Sequence, residues 1–272
     1  MVHLHGPVNV ASDTAATVLR RRGGSAANVA VAARRIGGAA RFIGQVGDDP
    51  LGAMLVDALA AEGVDLAIRR RGRSGTIVVM VHADGERTML SDRAACTELD
   101  GADDGWLDGL TTLHVPVYSL ATEPLATTTV ELIASARERS ITVSVDLSSV
   151  AVIESYGVER LVGLLADLHP DVLLCNRDEA AVLGAALSTI DSVTVVKRGP
   201  DPALVTIPGG PAIEVPVPPL TRVLDTTGAG DAFAAGFLLA LAAGASAADA
   251  AAAGHRTAAA AILEASGVCG PR

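Results

Sequence analysis

Aromatic residues and lysine are the scarcest components of this 272-residue chain. One tryptophan, two tyrosines and three phenylalanines make up 2% of the sequence, whereas hydrophobic residues make up 50%. The core must therefore be packed from alanine, valine, leucine and isoleucine. Lys197 is the single lysine, and the formal net charge is −10. A chain this acidic lacks the basic footprint that nucleic acid or an anionic membrane surface requires; the short cluster Arg20–Arg22 is interpreted as a solvated face.

Cysteines and long hydrophobic runs are also few. The three cysteines lie far apart: Cys96, Cys175 and Cys269. Their odd number and wide spacing exclude an obvious zinc site and are typical of a reducing compartment. The start, "MVHLHGPVNV", does not have the pattern of a signal peptide. The most apolar segment, 232–248, is mainly alanine and has acidic residues at both edges, which favours a buried helix over a membrane span. The sequence predicts a cytoplasmic protein without a membrane partner.

From about residue 111, short β-branched runs alternate with helical stretches. Strands are predicted at 112–120, 141–147, 171–176 and 193–199, and two alanine-rich helices at about 230–243 and 247–264. This alternation predicts a doubly wound α/β fold with a mainly parallel central sheet flanked by helices. Residues 65–93 hold strands without a helix, and "ADGE" at 83–86 is a hairpin turn signal. We expect one domain, 1–272, with a small antiparallel β lid formed by about 8–22 and 65–93.

The stretch "DTTGAGDAF" at 225–233 stands directly before a long apolar helix. Glycines at a helix start let unpaired backbone N–H groups approach an anion, which the helix dipole also attracts. Asp231 would repel a static phosphate, but it is well placed to take a proton from an attacking hydroxyl. The alternative is an ordinary first-turn aspartate. The dinucleotide fingerprint GxGxxG fails at Phe233, and a P-loop fails because Lys197 is followed by Arg198.

Four motifs resemble signatures of the ribokinase-like (PfkB-type) carbohydrate kinase family, which contains sugar and nucleoside kinases. They are "GGSAANVA" at 23–30, "GQVGDDPLG" at 44–52, "NRDE" at 176–179 and "DTTGAGDAF" at 225–233. All four occur in the family's order, and the resemblance covers the chain from about residue 6 to 270. The resemblance implies a ribokinase-like fold and an ATP-dependent transfer of phosphate to an alcohol group.

The resemblance also implies roles around the transferred phosphate. Asp231 would be the catalytic base. Three residues would form the anion hole for the γ-phosphoryl group: Gly228, Ala229 and Gly230. Gly24 and Asn28 would bind substrate hydroxyls, although Asn28 could simply cap the helix that follows.

On the nucleotide side, Asn176 and Glu179 would orient Mg²⁺ and its waters, and Lys197 and Gly199 would flank the ATP. Glu179 could instead be an ordinary helix acid, and Lys197 a surface lysine. His255 lies where the family packs side chains against adenine, with a solvent-facing or core histidine as the alternative.

Asp225 and the Thr227 carbonyl resemble a site where many family members hold a monovalent cation, usually K⁺. The chain departs from the family at its start, which resembles the segment after the usual first strand. We therefore expect the first strand of the central sheet, with its acidic substrate ligand, to be missing through a truncated start. "VDLSS" at 145–149 replaces an Asp-Pro-Asn pattern, keeping Asp146.

The acceptor expected from these residues is a neutral sugar or a sugar acid. Ribokinase and relatives that act on phosphosugars commonly place a lysine after the glycine pair, whereas Ser25 to Ala27 carry no charge here. The scarcity of aromatics disfavours a nucleobase. Two alternatives stay open: a nucleoside kinase, and a catalytically impaired sugar- or nucleoside-binding protein. By analogy with family members, the lid could pair two copies into a homodimer.

Overall fold

The computed structural model describes residues 1–82, 87–220, 223 and 225–268. The strands are β1 (Val2–Leu4), β2 (Ala16–Val18), β3 (Arg41–Val46), β4 (Asp65–Arg70), β5 (Thr76–Val81), β6 (Arg87–Asp92), β7 (Thr112–Pro116), β8 (Thr142–Asp146), β9 (Val172–Asn176), β10 (Val193–Arg198), β11 (Asp201–Thr206) and β12 (Ala212–Val215). The helices are α1 (Ser25–Arg35), α2 (Pro50–Ala61), α3 (Leu125–Glu138), α4 (Val150–Tyr156), α5 (Val158–Leu168), α6 (Arg177–Leu183), α7 (Ala229–Ala242) and α8 (Ala247–Val268). Among the described helices, none is long and apolar enough to cross a membrane.

The main sheet has six strands in the order β12-β11-β10-β9-β8-β7. Strands β7 to β10 are parallel, and β11 and β12 add an antiparallel edge. Successive residues of a strand face opposite sides: Leu173 packs into a core with α3, α5 and α6, whereas Leu174 packs with α1, α7 and α8. This three-layer α/β arrangement confirms the predicted fold class.

A second sheet, here called the lid sheet, has the order β2-β1-β5-β6 and is antiparallel apart from the β1–β5 pair. Its composition differs from the expected lid over 8–22 and 65–93. The sheet includes residues 2–4, and β4 instead pairs in parallel with β3. The sequence between β3 and β4 contains α2, a helical crossover that favours parallel pairing. The predicted turn at 83–86 lies outside the described residues.

The central sheet is interrupted between β3 and β7. Within the described residues, β3 pairs with β4 alone and β7 with β8 alone, so one edge of each strand carries no strand partner. A groove of about 370 Å³ separates them, with an apolar lining that includes Val29, Phe42 and Leu113. His114 also lines the groove; its Nε2 has no partner, and burial lowers its pKa to about 4. The sequence predicted a missing strand in this sheet, and the interruption is consistent with it.

Candidate active site

Asp231 lies where the first turns of two helices meet. It occupies the first turn of α7, and its carboxylate accepts hydrogen bonds from the first turn of α1. Ser25 Oγ donates to Oδ1 at 2.7 Å, and Asn28 Nδ2 donates to Oδ2 at 2.8 Å. These partners are more than 200 residues away in sequence, and the packing of α1 against α7 brings them together. The structure thus joins the "GGSAANVA" and "DTTGAGDAF" motifs at one carboxylate.

The environment of Asp231 raises its pKa. Burial is the main cause, the hydrogen bonds from Asn28 and Ser25 oppose it, and the charge of Asp146 adds to it. A carboxylate with a raised pKa is a stronger proton acceptor than one in water. The half-buried Asp231 is therefore a stronger proton acceptor than an exposed aspartate.

The turn before α7 exposes two backbone amides. Gly228 precedes the helix at φ 78°, a left-handed conformation that favours glycine. Among the described residues, the Gly228 and Gly230 N–H groups have no hydrogen-bond partner. The Ala229 N–H, in contrast, donates to Thr226 O at 3.1 Å and closes the turn. Of the three amides expected to form an anion hole, those of Gly228 and Gly230 are thus without a partner among the described residues, and that of Ala229 is engaged in the turn.

Lys197 forms a buried ion pair beside these amides. Its Nζ lies 2.6 Å from Asp146 Oδ2, and the two side chains are 15% and 8% exposed. A Cβ added to Gly230 would lie 3.6 Å from Nζ, so the ammonium group borders the start of α7. Burial alone would lower the pKa of Lys197, but the adjacent Asp146 carboxylate outweighs it and the pKa is raised. Lys197 is thus a buried cation, whereas the sequence analysis had also allowed a surface lysine at this position.

Asn176 and Glu179 form a capping box at the start of α6. Asn176 Oδ1 accepts from the Glu179 N–H at 2.9 Å, and Glu179 Oε2 accepts from the Asn176 N–H at 2.8 Å. Asn176 Nδ2 donates to Oε1 at 2.7 Å. Glu179 is 2% exposed, and burial raises its pKa. This geometry is that of an ordinary helix-capping acid. It is also compatible with a role in orienting Mg²⁺, because the capping pair lies at the carboxyl end of β9.

The sheet register explains why these groups are neighbours. Asp146 ends β8 and Asn176 ends β9, while Lys197 pairs with Asn176 near the end of β10. The three strands are parallel, so their carboxyl ends share one edge. Ligands of doubly wound folds bind at this edge.

Mg²⁺ fits the donors available at this edge. It is usually held by one or two carboxylates together with phosphate oxygens and waters. The charge of Asp146 contributes to the raised pKa of Glu179, and the charges of both carboxylates contribute to the raised pKa of Lys197. The two carboxylates therefore lie near each other and near Lys197. No cluster of three or more metal-binding side chains occurs in the described part of the chain.

The remaining predicted site residues have less distinctive surroundings. Gly199 turns at φ 64° between β10 and β11. Thr227 N–H donates to Asp225 Oδ1 at 2.9 Å. His255 is buried and its ring meets Phe233 edge-to-face at 5.1 Å, with burial lowering its pKa. This environment is that of a core histidine rather than of a ring open to an adenine.

Arg22 contacts the candidate site residue Asn28, a contact that sequence reasoning missed. Its Nη1 donates to Asn28 Oδ1 at 2.9 Å, and the side chain is half-buried instead of facing solvent. Gly24, at φ 99°, provides a turn between Arg22 and α1. The sequence signal was an arginine directly before the glycine pair, hidden within a run of three arginines.

The "GQVGDDPLG" segment has a structural role. Asp49 caps α2, accepting from Gly52 N–H at 2.7 Å and from Ser74 Oγ at 2.6 Å. The hydrogen bonds with Ser74 and Gly52 lower the pKa of Asp49 to about 2. A Cβ on Gly52 would lie 2.0 Å from Gly47 O, and a Cβ on Gly47 would lie 2.2 Å from Ser74 N, so both positions require glycine.

Comparisons with known proteins place this geometry in context. The sequence matches the profile described as pfkB family carbohydrate kinase over residues 3–269. A fructokinase from Klebsiella pneumoniae is 30% identical over 253 residues, covering 87% of this chain and 82% of that protein. A 2-dehydro-3-deoxygalactonokinase from Haloferax volcanii is 31% identical over 287 residues, covering 95% and 87%.

Two solved structures also resemble the fold closely. The adenosine kinase from Sinorhizobium meliloti has a TM-score of 0.81 at 26% identity, covering 93% of this chain and 80% of that one. The fructokinase from Vibrio cholerae O395, in a form bound to fructose, ADP and calcium ion, has a TM-score of 0.77 at 27% identity. That match covers 96% of this chain and 89% of the fructokinase.

Proposed function

This chain belongs to the pfkB family of carbohydrate kinases, phosphotransferases that act on sugar hydroxyls, and from that premise we propose how its residues work. The enzyme transfers the γ-phosphate of ATP to a hydroxyl of a sugar or sugar acid, with Asp231 as the catalytic base. The observation that carries this proposal is the half-buried Asp231 carboxylate, held by Asn28 and Ser25 beside two unpaired amides.

The acceptor side is formed by α1. Asn28 and Ser25 now donate to Asp231, and they can transfer these hydrogen bonds to a bound sugar. The acceptor hydroxyl then donates to Asp231 in their place. Gly24 supports this position because its left-handed turn leaves the approach to the helix start free of a side chain.

The donor side is formed by α7 and the sheet edge. As the acceptor oxygen attacks the γ-phosphorus, the bond between that phosphorus and the bridging oxygen of ADP breaks, and Asp231 receives the hydroxyl proton. The Gly228 and Gly230 amides and the Lys197 ammonium group stabilise the charge that develops on the phosphoryl oxygens. Asp146 and Glu179 would hold Mg²⁺ together with ATP, and the ion would supply neutralisation of phosphate charge. Asn176 keeps Glu179 in place.

Potassium is proposed as a supporting cation near Asp225 and Thr227, and its test is the dependence of turnover on KCl against choline chloride.

The lid sheet carries exposed apolar side chains: Val18, Ile77, Met89 and Leu90. We infer that the face of the lid sheet that carries Ile77 and Met89 packs against its copy in a homodimer. Light scattering should show a dimer, and Ile77→Lys should shift it to a monomer; a monomeric parent protein would contradict the inference.

A coupled assay of ADP release tests the proposed reaction. Purified protein is incubated with MgATP and a panel of hexoses, pentoses, aldonic acids, 2-keto-3-deoxy acids and nucleosides, and products are identified by mass. We expect at least one sugar or sugar acid to gain one phosphoryl group. If only nucleosides are phosphorylated, the second candidate, a nucleoside kinase, replaces the proposal; the similarity to an adenosine kinase structure favours that candidate. No product from any acceptor would leave a binding protein as the better description.

A further inference from the structure

Arg22 reaches the acceptor side of the proposed site through Asn28. Its guanidinium donates to Asn28 Oδ1 at 2.9 Å, and Asn28 in turn donates to Asp231 Oδ2 at 2.8 Å. The charge of Asp231 also acts on the pKa of Arg22. An acceptor with one hydroxyl on Asp231 would therefore place its other substituents within reach of this guanidinium.

The guanidinium has unused hydrogen-bonding capacity. Arginine carries about five N–H donors, and Asn28 occupies one of them. Among the described residues, no carboxylate lies within ion-pair distance of Arg22. The nearby Glu62 is held by Arg35, whose Nε donates to Glu62 Oε2 at 3.0 Å. Arg22 is thus a half-buried cation beside the reaction centre without an ion-pair partner.

We propose that Arg22 selects acceptors that carry a carboxylate, so that the substrate of the proposed kinase is a sugar acid. The guanidinium fork matches the two oxygens of a carboxylate, and the pair is stronger in a partly dehydrated site. The inference rests on the proposed function, because it locates the acceptor by its hydroxyl on Asp231.

A carboxylate fits this site better than a phosphate group. A carboxylate brings one negative charge, which one guanidinium balances, whereas a phosphate monoester brings about 1.5 to 2. The single lysine of the chain is already paired with Asp146. Arg35, whose charge acts on the pKa of Arg22, already binds Glu62 and Glu264.

A purely positioning role for Arg22 makes a different prediction. If the guanidinium served only to orient the Asn28 amide, its loss would weaken every acceptor to the same extent. If it also binds the substrate's charge, the loss is much larger for charged acceptors than for neutral ones. The comparison between charged and neutral acceptors therefore separates the two roles.

The test uses Arg22→Gln, which keeps an amide donor for Asn28 Oδ1 but removes the charge. Arg22→Lys restores the charge without the fork, and Arg21→Gln is the matched control on an exposed neighbour. Values of kcat and KM are measured for aldonic and 2-keto-3-deoxy acids, their neutral parent sugars and sugar monophosphates. Calorimetric titration measures binding of the same compounds without turnover.

We expect the parent enzyme to prefer acids, and Arg22→Gln to lose about 10- to 100-fold in kcat/KM for acids, mostly in KM. The loss should be much smaller for neutral sugars, which still depend on Asn28, and Arg22→Lys should recover part of the loss for acids. Preference for neutral sugars or sugar monophosphates, or an equal loss on all acceptors, would overturn the inference while leaving the kinase proposal intact. If no acceptor is phosphorylated, the proposed function fails. Acid binding that is lost in Arg22→Gln would then still support carboxylate recognition, and its absence would refute it.

Discussion

Removing the Asp146 carboxylate should destabilise the protein through its effect on Lys197. The ion pair between them measures 2.6 Å, and the side chains are 15% and 8% exposed, so little solvent screens the pair. Asp146→Asn leaves a buried ammonium group without its counter-ion. Breaking a buried pair in this way costs about 3–5 kcal/mol, against a total stability of about 5–15 kcal/mol for ordinary domains.

The pH dependence of this loss has a definite sign. In the parent protein the pKa of Lys197 is raised above its ordinary value because Asp146 outweighs burial. The pair therefore stabilises the fold fully below the unfolded pKa of about 10.4, and this stabilisation is lost as pH rises through the folded pKa. In Asp146→Asn, burial is no longer opposed by this carboxylate, and the folded pKa should fall below 10.4. That variant should gain stability as the pH rises towards about 10.4.

The single lysine makes the measurement direct. Protein labelled with ¹³C at the lysine ε-carbon gives one lysine side-chain NMR signal, whose pH titration reports Lys197 alone. Urea unfolding gives the stability of Asp146→Asn, Lys197→Met and the double variant, for which we expect a coupling energy of about 0.5–3 kcal/mol. Asp167→Asn, on the exposed side of α5, is the control and should change stability by less than about 0.5 kcal/mol. An unchanged lysine titration in Asp146→Asn, or additive losses in the double variant, would refute the reasoning.

Two further predictions concern the site and its support. Ser25→Ala removes a hydrogen bond that lowers the pKa of Asp231; the acid limb of the kcat/KM–pH profile should move to higher pH, and an unmoved limb would argue against Asp231 as the titrating base. Gly52→Ala places a Cβ 2.0 Å from Gly47 O and should lower stability by about 1–3 kcal/mol or more. Its control, Gly163→Ala, meets nothing within 4 Å on an exposed helix face and should stabilise by about 0.5–1 kcal/mol; equal melting temperatures for the two variants would contradict the packing argument.

Much of the central sheet could be predicted from local patterns. The strands β8, β9 and β10 lie within about one residue of the expected ranges, because each is a short β-branched run bounded by polar residues. Parallel strands place their carboxyl ends at one edge of the sheet. The "NRDE" motif begins at the last residue of β9, so it could be expected at that edge. Pairing between segments distant in sequence was not predictable in the same way. The parallel pairing of β4 with β3 depends on the helical crossover through α2. The residues of β4 alone do not indicate this partner.

Side-chain contacts across long sequence separations were the least predictable part of the site. The Lys197–Asp146 pair joins residues 51 apart and depends on the β8–β9–β10 register. The sequence places Arg22 in a cluster of three arginines that was interpreted as a solvated face. In the structure, the turn at Gly24 brings Arg22 to Asn28. The hydrogen bond from the Ala229 N–H to Thr226 O, which closes the 226–229 turn, was also not predictable. It depends on backbone geometry rather than on residue type.

Single-turnover transfer by Asp231→Asn tests the catalytic base most directly. The substitution preserves the size of the side chain but removes the proton acceptor. We expect the rate of phosphoryl transfer, followed by rapid quench with an acceptor found in the panel, to fall by about 10²–10⁴-fold while ATP still binds with its original affinity. A variant that transfers phosphate at the parent rate would contradict the assignment.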